Sequence, residues 1–516
     1  MSVFKNILKV SSATIGSRIL GFIRDATTMA YLGLSAVSAA YTFAFTLPNL
    51  FRRLLGEGAL TSAMVPIFAQ IKESEGDTAA FSFLNKILTR AGILLLGLSI
   101  IGMLIAGTVA LFTPADTPER FLLGANYTVV MMPYLILICL AAIFSGALNV
   151  MGSFGVPSIG PMLLNISIIC GIFAGTYFSG SDAEKVGYWL CGAWLLGGSL
   201  QLLLPALWAR KMGWRFRLDF NSSPALSELY ALFVPALVGA AVLQINIFVS
   251  KILALALNDT AIPALYISSR LLEFPLGVFT IAIATVFFPK LAALNATCDE
   301  VKIRKEYSNG FLLTLIIALP ATLGLIIFAK DILTVLFEWG LFNGRDVDIC
   351  IPVVIAASLG LPFFSIATFA TRGFHSAKDT KTPVVVSLWS FVANIILSIA
   401  LMFPFGAAGL AGANAASAAL QAYLLMKKLG KKYGKLGISK EILKIALSTL
   451  AMVATALVFR MGISEYFDGK MLALLVCVVI IPLSATIYFV FLKIFKSEQA
   501  DILYATILRK RISKKI

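Results

Sequence analysis

Residues 47–69 read LPNLFRRLLGEGALTSAMVPIFA, and this stretch decides the class of fold. It has the length and apolarity of a bilayer-crossing helix, which needs about 20 mostly apolar residues, yet Arg52 and Arg53 lie inside it. An arginine at the centre of a membrane helix costs roughly 2.5–3.5 kcal/mol on insertion scales, so a chain keeps one where it has something to hold. Arg18 and Arg24 repeat the pattern in SRILGFIRD (17–25), and Arg270 repeats it in SRLLEFPLG (269–277). The positive sign of these groups points to an anion handled within the thickness of a membrane.

The rest of the chain agrees with that class. Of 516 residues, 59% are hydrophobic and only 13% are charged, against about 25% charged in soluble domains. An all-α polytopic membrane protein follows. The N-terminal MSVFKNILKVSSATIGS lacks the apolar core and cleavage site of a secretory signal and is expected to stay attached as the lead into a first span. The net charge of +16 could suggest nucleic acid. However, the Lys and Arg residues fall mostly in alternate short connections, and no soluble basic face with interleaved aromatics is present. Five cysteines (Cys139, Cys170, Cys191, Cys350, Cys477) sit in apolar runs and Cys298 in a basic connection, without disulfide or metal spacing. The single histidine, His375, reads as a solvated loop residue.

Apolar runs against polar breaks predict about fourteen spans, centred near Leu20, Leu54, Leu98, Leu137, Ile168, Leu196, Leu243, Val278, Leu323, Leu361, Ile395, Leu420, Val453 and Val479. Positive residues cluster before the first span (Lys5, Lys9) and after even-numbered ones (Lys72 and Lys86; Arg210, Lys211, Arg215 and Arg217; Lys427 to Lys435; Lys510 to Lys515). The opposite connections hold acids such as Asp116, Asp182, Asp259 and Asp346. By the positive-inside rule both termini are expected in the cytoplasm.

The chain also resembles itself. GALTSAMVPIFAQ (58–70) compares with TIAIATVFFPKLA (280–292), and ALNVMGSFGVP (147–157) compares with GFHSAKDTKTP (373–383). Pro66 and Pro157 are 91 residues apart, Pro289 and Pro383 94 apart. This predicts two six-helix bundles in pseudo-two-fold relation, residues 1–217 and 218–435, followed by two additional helices and a cytoplasmic tail in 436–516.

No catalytic constellation, phosphate-binding loop, metal cluster or cofactor motif accompanies these spans, so a transporter is expected rather than an enzyme. Arg18, Arg24, Arg52 and Arg270 are the candidate anion-binding residues, because a guanidinium stays charged and its fork of donors matches phosphate oxygens. The competing reading is internal pairing: Arg24 with Asp25, Arg52 with Glu57, Arg270 with Glu273. Six basic residues in the spans (with Arg53 and Lys251) face three acids, so pairing alone leaves a positive excess. Arg53 and Lys251 are the members expected to be structural.

SRILGFIRD, LPNLFRRLLGEGALTSAMVPIFA and SRLLEFPLGVFTIAIATVFFP (269–289) together resemble the MurJ/MviN family of bacterial lipid II flippases, within the multidrug/oligosaccharidyl-lipid/polysaccharide exporter superfamily. The resemblance runs over essentially the whole chain. It implies a flippase that moves undecaprenyl-pyrophosphate-linked disaccharide pentapeptide (lipid II) from the inner to the outer leaflet by alternating access, for cell wall biogenesis and cell shape. It implies substrate-binding roles for Arg18, Arg24, Arg52, Arg270 and Asn49, and supporting or gating roles for Asp25, Glu57, Glu273 and Arg53. It also implies a lipid-tail groove on the last two spans and functional contact with the cell wall synthesis machinery. Some members are associated with a sodium site using an acid on the seventh span. Here YALFVPALVGAAVLQINIFVSKILALAL (230–257) has none, so sodium is not carried over. The alternatives are a flippase for another undecaprenyl-linked glycan and a drug/cation antiporter, the latter disfavoured because cation exporters need buried carboxylates.

Overall fold

The computed structural model describes residues 2–180, 182–297, 299–434, 436–437 and 439–500. Cys298, Lys435 and the basic tail Lys510, Arg511, Lys514 and Lys515 lie outside the described residues, as do the side chains of Lys5, Lys9 and Glu57. All regular structure among the described residues is helical. By contacts the chain divides into two compact units, Met1–Pro263 with Trp339–Phe342, and Ala264–Glu338 with Asn343–Ile516.

The first unit comprises α1 (Ser2–Leu32), α2 (Ala36–Phe51), the π-helical segment π1 (Arg52–Leu60), α3 (Thr61–Glu75) and α4 (Asp77–Phe112). It continues with α5 (Glu119–Met131), α6 (Tyr134–Val150), α7 (Gly155–Ser179), α8 (Ala183–Lys211) and α9 (Pro224–Leu257). Its core is aromatic and locally tied. Trp194 Nε1 donates to Tyr41 Oη at 2.8 Å, and Tyr134 meets Trp194 edge-on at 5.0 Å between centroids. Small residues let α7 and α8 approach closely, the membrane route to van der Waals packing. A Cβ at Gly171 would stand 2.4 Å from the Ala193 Cβ. From the second half of the chain, Trp339–Phe342 belongs to this unit, with Leu341 N donating to Ala30 O at 2.7 Å.

The second unit holds α10 (Ala261–Pro275) from Ala264 onward, π2 (Leu276–Thr280), α11 (Ile281–Thr297), α12 (Glu300–Ile327), α13 (Ala329–Phe337), α14 (Gly344–Ser358) and α15 (Leu361–Ser376). It ends with α16 (Lys381–Tyr433), α17 (Ser439–Ser464), α18 (Gly469–Leu475), π3 (Val476–Ile480) and α19 (Ile481–Ile494). The last two spans are fastened to the rest by polar ties within apolar surroundings. Tyr488 Oη donates to Ile316 O at 2.7 Å, and Arg460 pairs with Asp331 at 3.1 Å.

Among the described residues, ten helical stretches are long and apolar enough to cross a membrane, and the bent pair α5–α6 makes an eleventh. The 53-residue α16 is two spans joined at a sharp break, since Gly406 adopts φ 59°, a conformation open to glycine. Each of the fourteen expected centres falls in a helix, so the arrangement is consistent with fourteen spans. The two halves break in the same places. The α5–α6 span is interrupted just before Tyr134, and the α14–α15 span just before Leu361. A π segment lies inside both of the spans whose sequences match, π1 ahead of Pro66 and π2 ahead of Pro289.

Candidate functional site

Arg18 and Arg24 lie on α1, six residues apart and differently placed. Arg18 is exposed and makes no ion pair among the described residues; Ile15, Ile19 and Phe22 around it are exposed as well. Arg24 is only 8% exposed. Its Nε and Nη2 donate to Asp25 Oδ1 at 2.9 and 2.5 Å, and its Nη1 donates to Asn165 Oδ1 at 3.0 Å. Asn165 reaches across from α7 and also donates from Nδ2 to Ser17 O at 3.0 Å. A buried charge needs both a counter-ion and hydrogen bonds to satisfy it, and Arg24 has them.

Arg52 opens π1. Its Nε donates to Asn49 Oδ1 at 3.1 Å, while Asn49 Nδ2 donates to Phe45 O one turn back at 3.0 Å. Asn49 thus orients a guanidinium here through both ends of its amide. The local backbone follows from sequence. Pro48 lacks the N–H needed to continue the α-helical ladder, and the wider π turn takes up the register change, a device found often at functional sites. Gly58 has φ −96° and ψ −108° inside π1. A Cβ there would come within 2.3 Å of Arg53 O, so the turn accepts only glycine. Thr61 Oγ1 donates to Gly56 O across the same segment. Arg53 is exposed.

In the second unit Arg270 Nη1 donates to Glu273 Oε2 at 2.7 Å, and Nη2 donates to Tyr266 Oη at 2.8 Å. Its Cζ lies 4.7 Å from the Tyr266 ring centroid, within cation–π range. This ion pair is far more open than the first, with side-chain exposures of 32% and 54% against 10% and 8% for Arg24–Asp25. Two of the three pairings weighed from sequence are therefore present, and the third involves the Glu57 side chain, outside the described residues. No group of three or more metal-ligating side chains occurs among the described residues.

Sequence reasoning missed two further ionic ties. Arg120, 9% exposed, bonds Leu255 O at 2.7 Å and Asp259 Oδ1 at 2.9 Å, fixing the start of α5 to the end of α9. Asp331, 4% exposed, accepts from Arg460 Nε and Nη2 at 3.1 and 3.3 Å. Counting only three acids in the spans overlooked Asp331, because it lies in the short α13 after an apolar run. The partners are more than a hundred residues apart in sequence, so no local spacing announces them.

The sequence model of the lipid II flippase MurJ matches residues 29–480. A probable lipid II flippase MurJ of Rhizobium meliloti (strain 1021) is 33% identical over 443 residues, covering 83% of this chain and 81% of the relative. One from Bdellovibrio bacteriovorus is 30% identical over 509 residues, covering 96% and 95%. Among solved structures, a lipid II flippase MurJ in an inward closed conformation superposes with a TM-score of 0.77 at 26% identity, over 94% of this chain and 98% of that one. An inward-facing multidrug resistance MATE family transporter shares the fold at a TM-score of 0.66 and 14% identity, over 81% of this chain and 95% of its own. With a family match over most of its length, the chain belongs to the MurJ family of lipid II flippases.

Proposed function

We propose that the chain moves lipid II across the bacterial cytoplasmic membrane for peptidoglycan synthesis, with guanidinium groups receiving the pyrophosphate. Family membership supports the substrate. Alternating access supplies the route, since a bare pyrophosphate cannot be driven through hydrocarbon and needs a polar path that opens to one side at a time. The alternation of basic and acidic connections supports a cytoplasmic location for both termini.

The observation that carries the anion-binding reading is Arg18: an exposed arginine in an apolar helix, with no ion pair among the described residues. Its charge is offered to whatever enters. Arg52 is presented in a fixed orientation by Asn49 and is the second expected contact. Arg24 and Arg270 hold carboxylates, so each would meet the pyrophosphate by exchanging its carboxylate for it. Exchange is easier at the open Arg270–Glu273 pair than at the buried Arg24–Asp25 pair.

Depleting the protein from growing cells and identifying the polyprenyl-linked precursor on the cytoplasmic leaflet tests the substrate. Lipid II is expected to accumulate there. Accumulation of a different undecaprenyl-linked glycan, with lipid II still reaching the outer leaflet, would overturn the assignment.

A further inference from the structure

Arg270 of α10 is held from two sides that differ in chemistry and in openness. One turn ahead of it, Tyr266 Oη accepts from Arg270 Nη2 at 2.8 Å, and the Tyr266 ring centroid lies 4.7 Å from Cζ. Three residues after it, Glu273 Oε2 accepts from Nη1 at 2.7 Å. Spacings of four and three residues put all three side chains on one face of the helix. Tyr266 is only 8% exposed and so is fixed by its surroundings, whereas the Glu273 side chain is 54% exposed. The phenol side of the guanidinium is closed and the carboxylate side is open.

An anion that takes the place of Glu273 therefore meets Nη1 and leaves Nη2 where it is. That exchange removes the carboxylate that oriented Arg270, a long side chain whose freedom has to be lost again when the anion binds. Tyr266 is the contact that survives. It is neutral, so it does not compete with the anion for the charge, and its ring attracts the cation. The matched span of the first unit is built alike. Asn49 holds Arg52 from one turn ahead, and π1 follows; Tyr266 holds Arg270 from one turn ahead, and π2 follows. In each unit a neutral side chain fixes one part of an arginine ahead of a π segment, and neither partner can serve as its counter-ion.

We propose that Tyr266 is the positioning residue of Arg270, holding the Nη2 edge of the guanidinium in place while the pyrophosphate of the substrate displaces Glu273 from Nη1. This rests on the anion-binding role proposed above for Arg270. The benefit lies in binding: a guanidinium already in place costs the anion less to engage, and an interaction of that kind shows in KM with kcat unchanged.

Flipping by the full-length protein in vesicles, measured against lipid II concentration, tests this. Tyr266→Phe removes the phenol and keeps the ring. It should raise KM about tenfold, as for loss of a hydrogen bond to a charged group, with kcat within about twofold of wild type. The unfolding temperature should be little changed. Tyr266→Leu removes the ring as well and should raise KM further. A KM unchanged in Tyr266→Phe, or a loss confined to kcat or to the unfolding temperature, would overturn the proposal. Arg270→Ala, measured alongside, separates the two layers of the argument. If it raises KM or stops flipping while Tyr266→Phe does neither, Tyr266 has no positioning role and the anion-binding reading stands. If Arg270→Ala flips lipid II with wild-type KM and kcat, both fall.

Discussion

Two turns of one helix carry Arg18 and Arg24, about 9 Å apart along the axis by helix rise, and the structure treats them as different kinds of residue. Arg24 is buried, charge-matched by Asp25 and hydrogen-bonded across to Asn165 of α7. Arg18 is exposed and carries no ion pair among the described residues. In the sequence both are cations in an apolar run, and only Arg24 has an acid, Asp25, beside it. The neighbouring helix widens the difference: α7 packs on α1 and brings the Asn165 amide to the guanidinium of Arg24. Under the proposed function, an arginine whose charge the fold leaves unanswered is the readier binding group, and one already paired must first give up its carboxylate.

Breaking the buried side of the comparison should have the largest effect. Asp25→Ala leaves the Arg24 guanidinium buried without its carboxylate, which costs about 3–5 kcal/mol in comparable sites. Thermal unfolding of the purified protein should show a large drop, substantially recovered in the double variant Arg24→Leu/Asp25→Leu. A drop no larger than a surface substitution would remove the distinction. Asn49→Ala comes next. Losing a hydrogen bond to a charged group, roughly 1.5–3 kcal/mol, should slow lipid II flipping in reconstituted vesicles by about tenfold or more, with unfolding little changed. Full-rate flipping would show that Arg52 needs no positioning.

Glu273→Gln opens the other ion pair, and here the exposure of both partners limits the stability effect to about 1 kcal/mol or less. A loss matching that of Asp25→Ala would mean that burial does not set the difference. The smallest effect concerns pH. Asp379 Oδ1 accepts the Thr382 backbone N–H at 2.9 Å. That bond first, then the Thr382 side chain and the charges of Lys432 and Lys428, hold its carboxyl below the ordinary range. A depressed folded value means the contribution is complete above the unfolded value of about 3.9 and is lost as pH falls through the folded one. Wild type and Asp379→Asn should thus differ by a constant, small amount in unfolding temperature above about pH 5. The gap should close only at more acid pH, and a gap that widens there would contradict the sign.

The fold was legible because apolar runs and their polar breaks are set by the thickness of the bilayer, a constraint that acts on each span locally. The matched proline spacing pointed to a repeat, but the paired breaks before Tyr134 and Leu361 were no part of that reading. The π segments were not legible. A one-residue register change leaves composition untouched, and Gly58 or Pro48 alone reads as an ordinary break. At the site, pairs close in sequence could be weighed directly, as Arg24 with Asp25 and Arg270 with Glu273 were. Asn165, 141 residues from Arg24, and Arg460, 129 from Asp331, depend on which helices pack together, and no local pattern encodes that.

The most direct test of the central claim is lipid II flipping by Arg18→Ala in vesicles, with the unfolding temperature measured on the same preparation. Flipping should be lost while the unfolding temperature stays at the wild-type value, and Arg18→Lys should restore part of the rate. An Arg18→Ala protein that flips lipid II at the full rate would contradict the account.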